Sequence, residues 1–166
     1  MRKLLSIVAM STALLASGAA AHGPTASADA APPLQGDAAA AAKVVDAFHA
    51  ALSVGDTGSA AALMSDGVLV LESGGAERSK AAYAAHHLAA DAAFQKAARE
   101  SLVRRVGGAS GDLAWVATEG LVTGQVGERA INRTTTETML LARQPAGWRI
   151  VHVHWSSRAA PTTPVK

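Results

Sequence analysis

The chain reads as an α+β domain, with helices first and then a long antiparallel meander, the helices lying against one face of a curved sheet. Two observations predict the order of elements. An apolar stripe recurs at helical spacing early in the folded region, and four β-rich segments divided by glycine-bearing turns fill the second half. No internal repeat competes with this reading.

The first helix is expected over 38–54. Asp37 stands at its N-cap position, and Val44, Val45, Phe48 and Leu52 form one apolar stripe. Gly55-Asp56 stops it, and Asp56 is placed to cap a short second helix carrying Leu63 and Met64. Gly67–Glu72 is aliphatic and β-branched and reads as a strand, ended by the turn Ser73-Gly74-Gly75. Ser79 then caps a third helix over 80–99, with Tyr83, His87, Ala90 and Phe94 on one face and His86 and Asp91 at its edges. Strands follow at Leu102–Val106, Leu113–Thr123, Ala130–Arg143 and Trp148–Ser157, separated by Gly107-Gly108…Gly111-Asp112, Gly124…Gly127-Glu128 and Gln144-Pro145-Ala146-Gly147.

Outside this unit the composition changes. Arg2 and Lys3 precede an apolar run, Leu4 to Ala16, and Ala19-Ala20-Ala21 fits a cleavage site, so residues 1–21 are expected to be a secretory signal peptide. Residues 22–36 read as a flexible spacer rich in Ala, Pro and Gly, 37–158 as the folded domain and 159–166 as a disordered tail. The expected location is periplasmic or secreted, with no membrane anchor, because the apolar run falls short of the ~20 residues that span a bilayer. Removing the leader leaves 13 basic and 13 acidic side chains. The pI of 9.3 is therefore no sign of a nucleic-acid partner. Arg104 and Arg105 fall on opposite strand faces and make no patch, and neither a phosphate loop nor a G-x-S-x-G elbow is present. The chain has no cysteine, so thiolate catalysis and thiolate metal sites are excluded.

Four strings carry a family resemblance: Phe48–Asp56 (FHAALSVGD), Val68–Gly75 (VLVLESGG), Thr136–Leu140 (TETML) and, most specifically, Gly147–Ser157 (GWRIVHVHWSS). Together with the element order they resemble the nuclear-transport-factor-2-like superfamily in its SnoaL-like branch. The last string also resembles the closing strand of the calcium/calmodulin-dependent kinase association domain. The resemblance spans roughly 38–158. It implies a cone-shaped fold, a strongly bent antiparallel sheet wrapped around a pocket with N-terminal helices and a helical lid, and homodimers are common in the family. Isomerases, cyclases, dehydratases, binding modules and assembly domains share this scaffold, so fold is implied more closely than function. Steroid isomerase and polyketide cyclase members use an acidic base, but no motif here carries those residues over.

Candidate site residues follow from side chains placed singly among apolar ones. Strict alternation puts Trp148, Ile150, His152, His154 and Ser156 on one face of the last strand, and Val151, Val153 and Trp155 on the other. His152 and His154 could then chelate copper or zinc with His87, or His152 could act as acid or base. Hydrogen-bonded structural histidines explain them equally. The alternative metal set adds His86, Glu72 and His22, which cleavage after Ala21 would make an N-terminal copper brace. Asp91, four residues after His87, could orient its ring, or the pair could be a polar helix edge. Glu72 shares a face with Val68 and Val70, as a raised-pKa base in a pocket or a solvated strand end. Glu137 and Glu119 alternate with apolar residues and could face a pocket or a dimer interface; buried, either would need Arg133, Arg149 or a histidine. Trp155 and Val153, opposite the histidines, could form that interface.

The expected function is binding of a small apolar or amphipathic molecule through Glu72, Tyr83, His87, Trp115, Glu137, His152 and His154. Proton transfer or water addition/elimination, with Glu72, Glu137 or His152 as the catalytic group, is the enzymatic alternative. Histidine-based metal binding is the third. No other cofactor is expected.

Overall fold

The computed structural model describes residues 31–161. The expected signal peptide, its cleavage site and His22 lie outside the described residues, as does most of the expected tail. Within them, α1 (Gly36–Val54) and α2 (Thr57–Ala62) precede β1 (Met64–Glu72) and β2 (Gly75–Glu77). Then come α3 (Lys80–His86), α4 (Leu88–Ala97), β3 (Ala98–Ser110), β4 (Leu113–Val126), β5 (Arg129–Gln144) and β6 (Gly147–Ala159). The α+β architecture is as expected: one six-stranded curved sheet in the order β2-β1-β6-β5-β4-β3, with the helices laid against one face. It is mixed, because β1 runs parallel to β6 while every other neighbouring pair is antiparallel.

Local chemistry sets most boundaries. Gly55, at φ 81°, closes α1 by donating its N–H back to the carbonyls of Ala51 and Leu52, which a residue with a Cβ does at a cost. Asp56 caps α2 through the Ser59 N–H at 2.9 Å, and Ser79 caps α3 through the Ala82 N–H at 3.1 Å. Asp37 is not the cap expected of it. The helix starts two residues earlier than expected, at Gly36, so Asp37 sits inside the first turn, where its charge suits the helix dipole and pairs with Arg143 at 2.7 Å.

The expected third helix is broken in two. His87 leaves the helix at φ −118°, with no glycine or proline to announce it. Packing decides the break, because it turns Tyr83 on α3 and Leu88 and Ala92 on α4 all into the core.

The strands exceed their expected lengths, and single-residue bulges interrupt the ladder at Val103 in β3 and Val151 in β6, while the pairing of β1 with β6 shifts register between Met64 and Leu69. The core lies between α1 and the middle of the sheet. Val45, Phe48 and Leu52 meet Val70, Val116, Met139, Leu141, Ile150 and Val153 there, all essentially buried. Leu34, in the expected spacer, packs against this core, and Gly107 leaves it room.

Candidate functional site

The strand register aligns five polar or amphipathic side chains in one row. Glu72 on β1 pairs with Trp155 on β6, Trp155 with Glu137 on β5, Glu137 with Thr118 on β4, and Thr118 with Arg105 on β3. The row two residues further into the core is Val70, Val153, Met139 and Val116, closed by Gly107. The row on the other side is small and polar: Ser157, Thr135 and Gly120. The polar row therefore divides a packed half of the sheet from a half with room above it.

That room is a cavity of about 650 Å³. Glu137, Trp155 and Glu72 border it from the polar row, and His49 and Leu52 from α1. Asp91 and Phe94 line it from α4, and Val122, Ile131 and Arg133 from the open half of the sheet.

Helix α1 lies across the row and gives it partners. The Glu137 carboxylate is 7% exposed, and its Oε2 is 2.7 Å from both His49 Nε2 and Trp155 Nε1. Glu137 Oε1 and His49 Nδ1 are buried without a partner among the described residues. Three residues before His49, Asp46 accepts from Arg105 Nη1 at 2.5 Å, while Arg105 Nε donates to Thr118 Oγ1 at 3.1 Å. Trp155 is packed on both sides, its ring centroid 6.3 Å from those of Phe48 and Tyr83. Burial alone would push the Glu137 carboxyl up. The His49 hydrogen bond and charge, the Trp155 donor and the Arg105 field outweigh burial, and the carboxyl titrates below its ordinary range. Burial would favour neutral His49, but Glu137, with a smaller push from Glu100, raises its pKa instead. The two form an ion pair.

The other end of the row behaves oppositely. Glu72 sits exposed at the rim, where partial desolvation and the nearby Asp91 charge raise its pKa. Asp91 is raised by burial, although the Tyr83 hydroxyl donates to its Oδ2 at 2.7 Å. Tyr83 is pushed up by burial and by Asp91, so it remains a hydroxyl. One cavity thus holds an ionised carboxylate and carboxyl groups that keep their protons longer than usual.

The expected site is only partly assembled. Glu72 and Glu137 border the cavity, and Tyr83 stands behind Asp91. His87 does not join them: the break before α4 turns it to Glu77 on β2, with its side chain 53% exposed. His152 and His154 lie on the outer face. The bulge at Val151 shifts the alternation of β6 by one, so Trp148 and Ile150 point inward before it and Val153 and Trp155 after it. His152 Nδ1 instead meets the Leu69 carbonyl oxygen at 2.9 Å. The same shift places Val153 and Trp155 inside the cone, away from the interface expected of them. Trp115 is on the outer face, 42% exposed, and Glu119 shares that face. His87, His152 and His154 do not converge, and among the described residues no three His, Asp or Glu side chains are placed to hold a metal.

His49 was not among the expected site residues. Its signal is present in the sequence, since Val45, Phe48, His49 and Leu52 follow the i, i+3, i+4, i+7 pattern of a single helix face. A histidine in that stripe must find a buried partner.

Residues 41–161 match the SnoaL-like domain family model. Among solved structures, a candidate ketosteroid isomerase from Shewanella frigidimarina is 36% identical over 70% of this chain and 94% of its own, with a TM-score of 0.67. A candidate dehydratase of the NTF2-like family from Streptomyces avermitilis is 18% identical over 75% of this chain and 97% of its own, at 0.65. A candidate calcium/calmodulin-dependent protein kinase II association domain from Xanthomonas campestris is 20% identical over 81% of this chain and 95% of its own, also at 0.65. The last two show likeness of fold. No curated protein matches the chain.

Proposed function

The chain belongs to the SnoaL-like domain family, and from that premise we propose that its cone binds a small amphipathic molecule whose polar end meets Glu72 and Asp91. The observation that carries this reading is a cavity of about 650 Å³ whose apolar walls are broken by a few polar side chains, Glu72 and Asp91 among them. Phe94, Val122, Ile131 and Leu52 supply the apolar walls that such pockets use for affinity. The leader-like segment around Arg2-Lys3 and Leu4–Ala16 supports export to the periplasm or beyond. The outer-face row Trp115–Leu140–His152, with Trp115 and Leu140 exposed, supports pairing with a second copy.

The test is native mass spectrometry of protein purified from its host, with solvent extraction of anything retained. Wild-type protein should carry a small molecule that Thr135→Trp, which fills the open half, does not retain. A chain that arrives empty and gains no thermal stability from any member of an amphiphile panel would refute the reading.

A catalytic reading is favoured by two carboxyls of raised pKa, Glu72 and Asp91, on one cavity. In an elimination from a β-hydroxy carbonyl compound, Glu72 would take the proton α to the carbonyl. The electron pair forms the carbon–carbon double bond as the β carbon–oxygen bond breaks. The departing hydroxyl takes the proton of Asp91 and leaves as water, and the proton on Glu72 returns through solvent to Asp91. Deuterium exchange at the α carbon, followed by proton NMR in D2O, checks this; exchange equal in wild type and Glu72→Gln would sink it. The likeness to a candidate ketosteroid isomerase supports proton transfer at carbon as the first chemistry to try.

A further inference from the structure

Two side chains of opposite charge stand over one row of the open half of the sheet and do not pair. The row is Gly120 on β4, Thr135 on β5 and Ser157 on β6. Glu100 comes from β3 and lies across Gly120, where a Cβ would fall within 2.7 Å of its Oε1. That oxygen accepts from the Thr135 hydroxyl at 3.4 Å. Arg133 reaches the same row from the other side: Nε donates to Ser157 Oγ at 3.0 Å and Nη2 to the Ser157 carbonyl oxygen at 3.1 Å. The place of each charge is therefore set by its hydrogen bonds and not by its own Cα. Those bonds leave Glu100 Oε2 and three of the five guanidinium N–H donors without a protein partner among the described residues. Both side chains border the cavity.

Thr135 and Ser157 are partners across the β5–β6 ladder, so their side chains stand ~5 Å apart. Only that interval separates the groups that hold the two charges, yet no ion pair joins Glu100 to Arg133. An α-amino carboxylate has the size to bridge them. Its ammonium and carboxylate lie ~3 Å apart, and each reaches ~2.8 Å to a charged partner.

The other charges of the lining favour a zwitterion over a simple ion. Glu72, on the strand beyond Ser157, and Asp91 on α4 place acids on the second flank of Arg133, so a bare anion there meets negative charge on both sides. A bare cation at Glu100 meets Arg133, with Arg129 adding its charge where β5 begins. His49 and Glu137 neutralise each other, and Glu100 acts on His49 only through its field. Val122 pairs with Glu100 on one side and Arg133 on the other, and with Ile131 and Phe94 it forms an apolar wall beside the charges.

Resting on the cavity reading above and adding a second polar subsite to it, we propose that Glu100, Thr135 and Arg133 form a clamp for the head of α-amino acids with largely apolar side chains. The ammonium donates to Glu100 and Thr135 Oγ1, and the carboxylate sits on the free edge of the Arg133 fork. The side chain lies against Val122, Ile131 and Phe94, and Glu72 and Asp91 meet a polar group at its far end.

Isothermal titration of the full chain with L-phenylalanine, 2-phenylethylamine and 3-phenylpropanoate tests each half of the clamp, because the three share one side chain and differ only in the head. Wild type should bind phenylalanine about tenfold more tightly than either analogue, as expected of one well-placed charge-assisted pair. Arg133→Gln should erase the margin over the amine without weakening the amine itself, and Arg133→Lys should restore part of it. Glu100→Gln should erase the margin over phenylpropanoate without weakening that acid. Equal binding of phenylalanine and the amine by wild type would overturn the carboxylate end, and equal binding of phenylalanine and phenylpropanoate the ammonium end. If phenylalanine and both analogues weaken together in either variant, that residue only supports the wall and its assignment is lost. The wild-type ratios decide even where a variant does not fold. If none of the three binds while the purified chain still carries a small molecule, the clamp fails and the cavity reading stands; if the chain also arrives empty, both fail.

Discussion

Glu137 and Glu72 stand in one register row, two strands apart with Trp155 between them, ~10 Å from backbone to backbone. Burial pushes both carboxyls upward, and it is deepest at Glu137, yet Glu137 is the one that titrates low. What separates them is the opposing element. Above Glu137 lies α1, which brings a histidine and leaves an indole N–H in reach. Above Glu72 lies α4, which brings another acid. The sheet supplies equivalent positions, and the helices decide which becomes an anion and which holds its proton.

The comparison breaks most completely if the ion pair is removed. Glu137→Gln leaves a buried histidine without its counter-charge and should cost about 3 kcal/mol in chemical denaturation near pH 6, in line with broken buried pairs. Ligand binding should fall with it.

The second test uses pH. His49 holds its proton more tightly in the folded chain than in the unfolded one. Its contribution is therefore complete below about pH 6.5 and is lost as pH rises through the folded-state value. Glu137, lowered on folding, contributes above about pH 4.3 and loses that contribution as pH falls through its folded-state value. Between those limits the pair contributes most. Asp91 is raised on folding, so its ionisation opposes the fold as pH climbs through its folded-state value. Melting temperatures from pH 4 to 8 should thus show Glu137→Gln flattening the profile, and Asp91→Asn gaining relative stability at the alkaline end. A parallel response of the two variants would erase the distinction.

Trp155→Phe keeps the stack with Phe48 but deletes the indole donor to Glu137. It should cost about 1–2 kcal/mol by thermal denaturation, the range for a hydrogen bond to a charged group. The smallest effect should come from the outer face. His154→Ala, on an exposed side chain, should change ligand affinity less than twofold by titration, whereas His49→Ala should abolish binding.

Much of this was legible before the fold was known. Helix stripes, the Asp56 and Ser79 caps and the four long strands follow from spacing and turn residues. Glu72 and Glu137 were recognisable as carboxylates among apolar neighbours. Pairing was not: nothing local aligns Glu72 with Glu137, because register across three strands depends on contacts far apart in sequence. His49 lies within an apolar stripe, and only its partner on β5, far away in sequence, makes it part of the site. Helical spacing places His87 on the face of Tyr83, and a break that packing imposes turns it away. Strict alternation from Trp148 places the β6 histidines inside, and the bulge at Val151 turns them outward.

That irregular residue has a wider consequence for how β6 tolerates change. The strand carries two parities in series. Up to Ile150 the even-numbered positions are intolerant of polar or bulky replacements, and from Val153 onward the odd-numbered ones are. A saturation scan along Trp148–Ser157 would therefore show its pattern of sensitivity reverse phase at Val151. Val151 divides two stretches that both face the core, Trp148–Ile150 through even-numbered positions and Val153–Trp155 through odd-numbered ones.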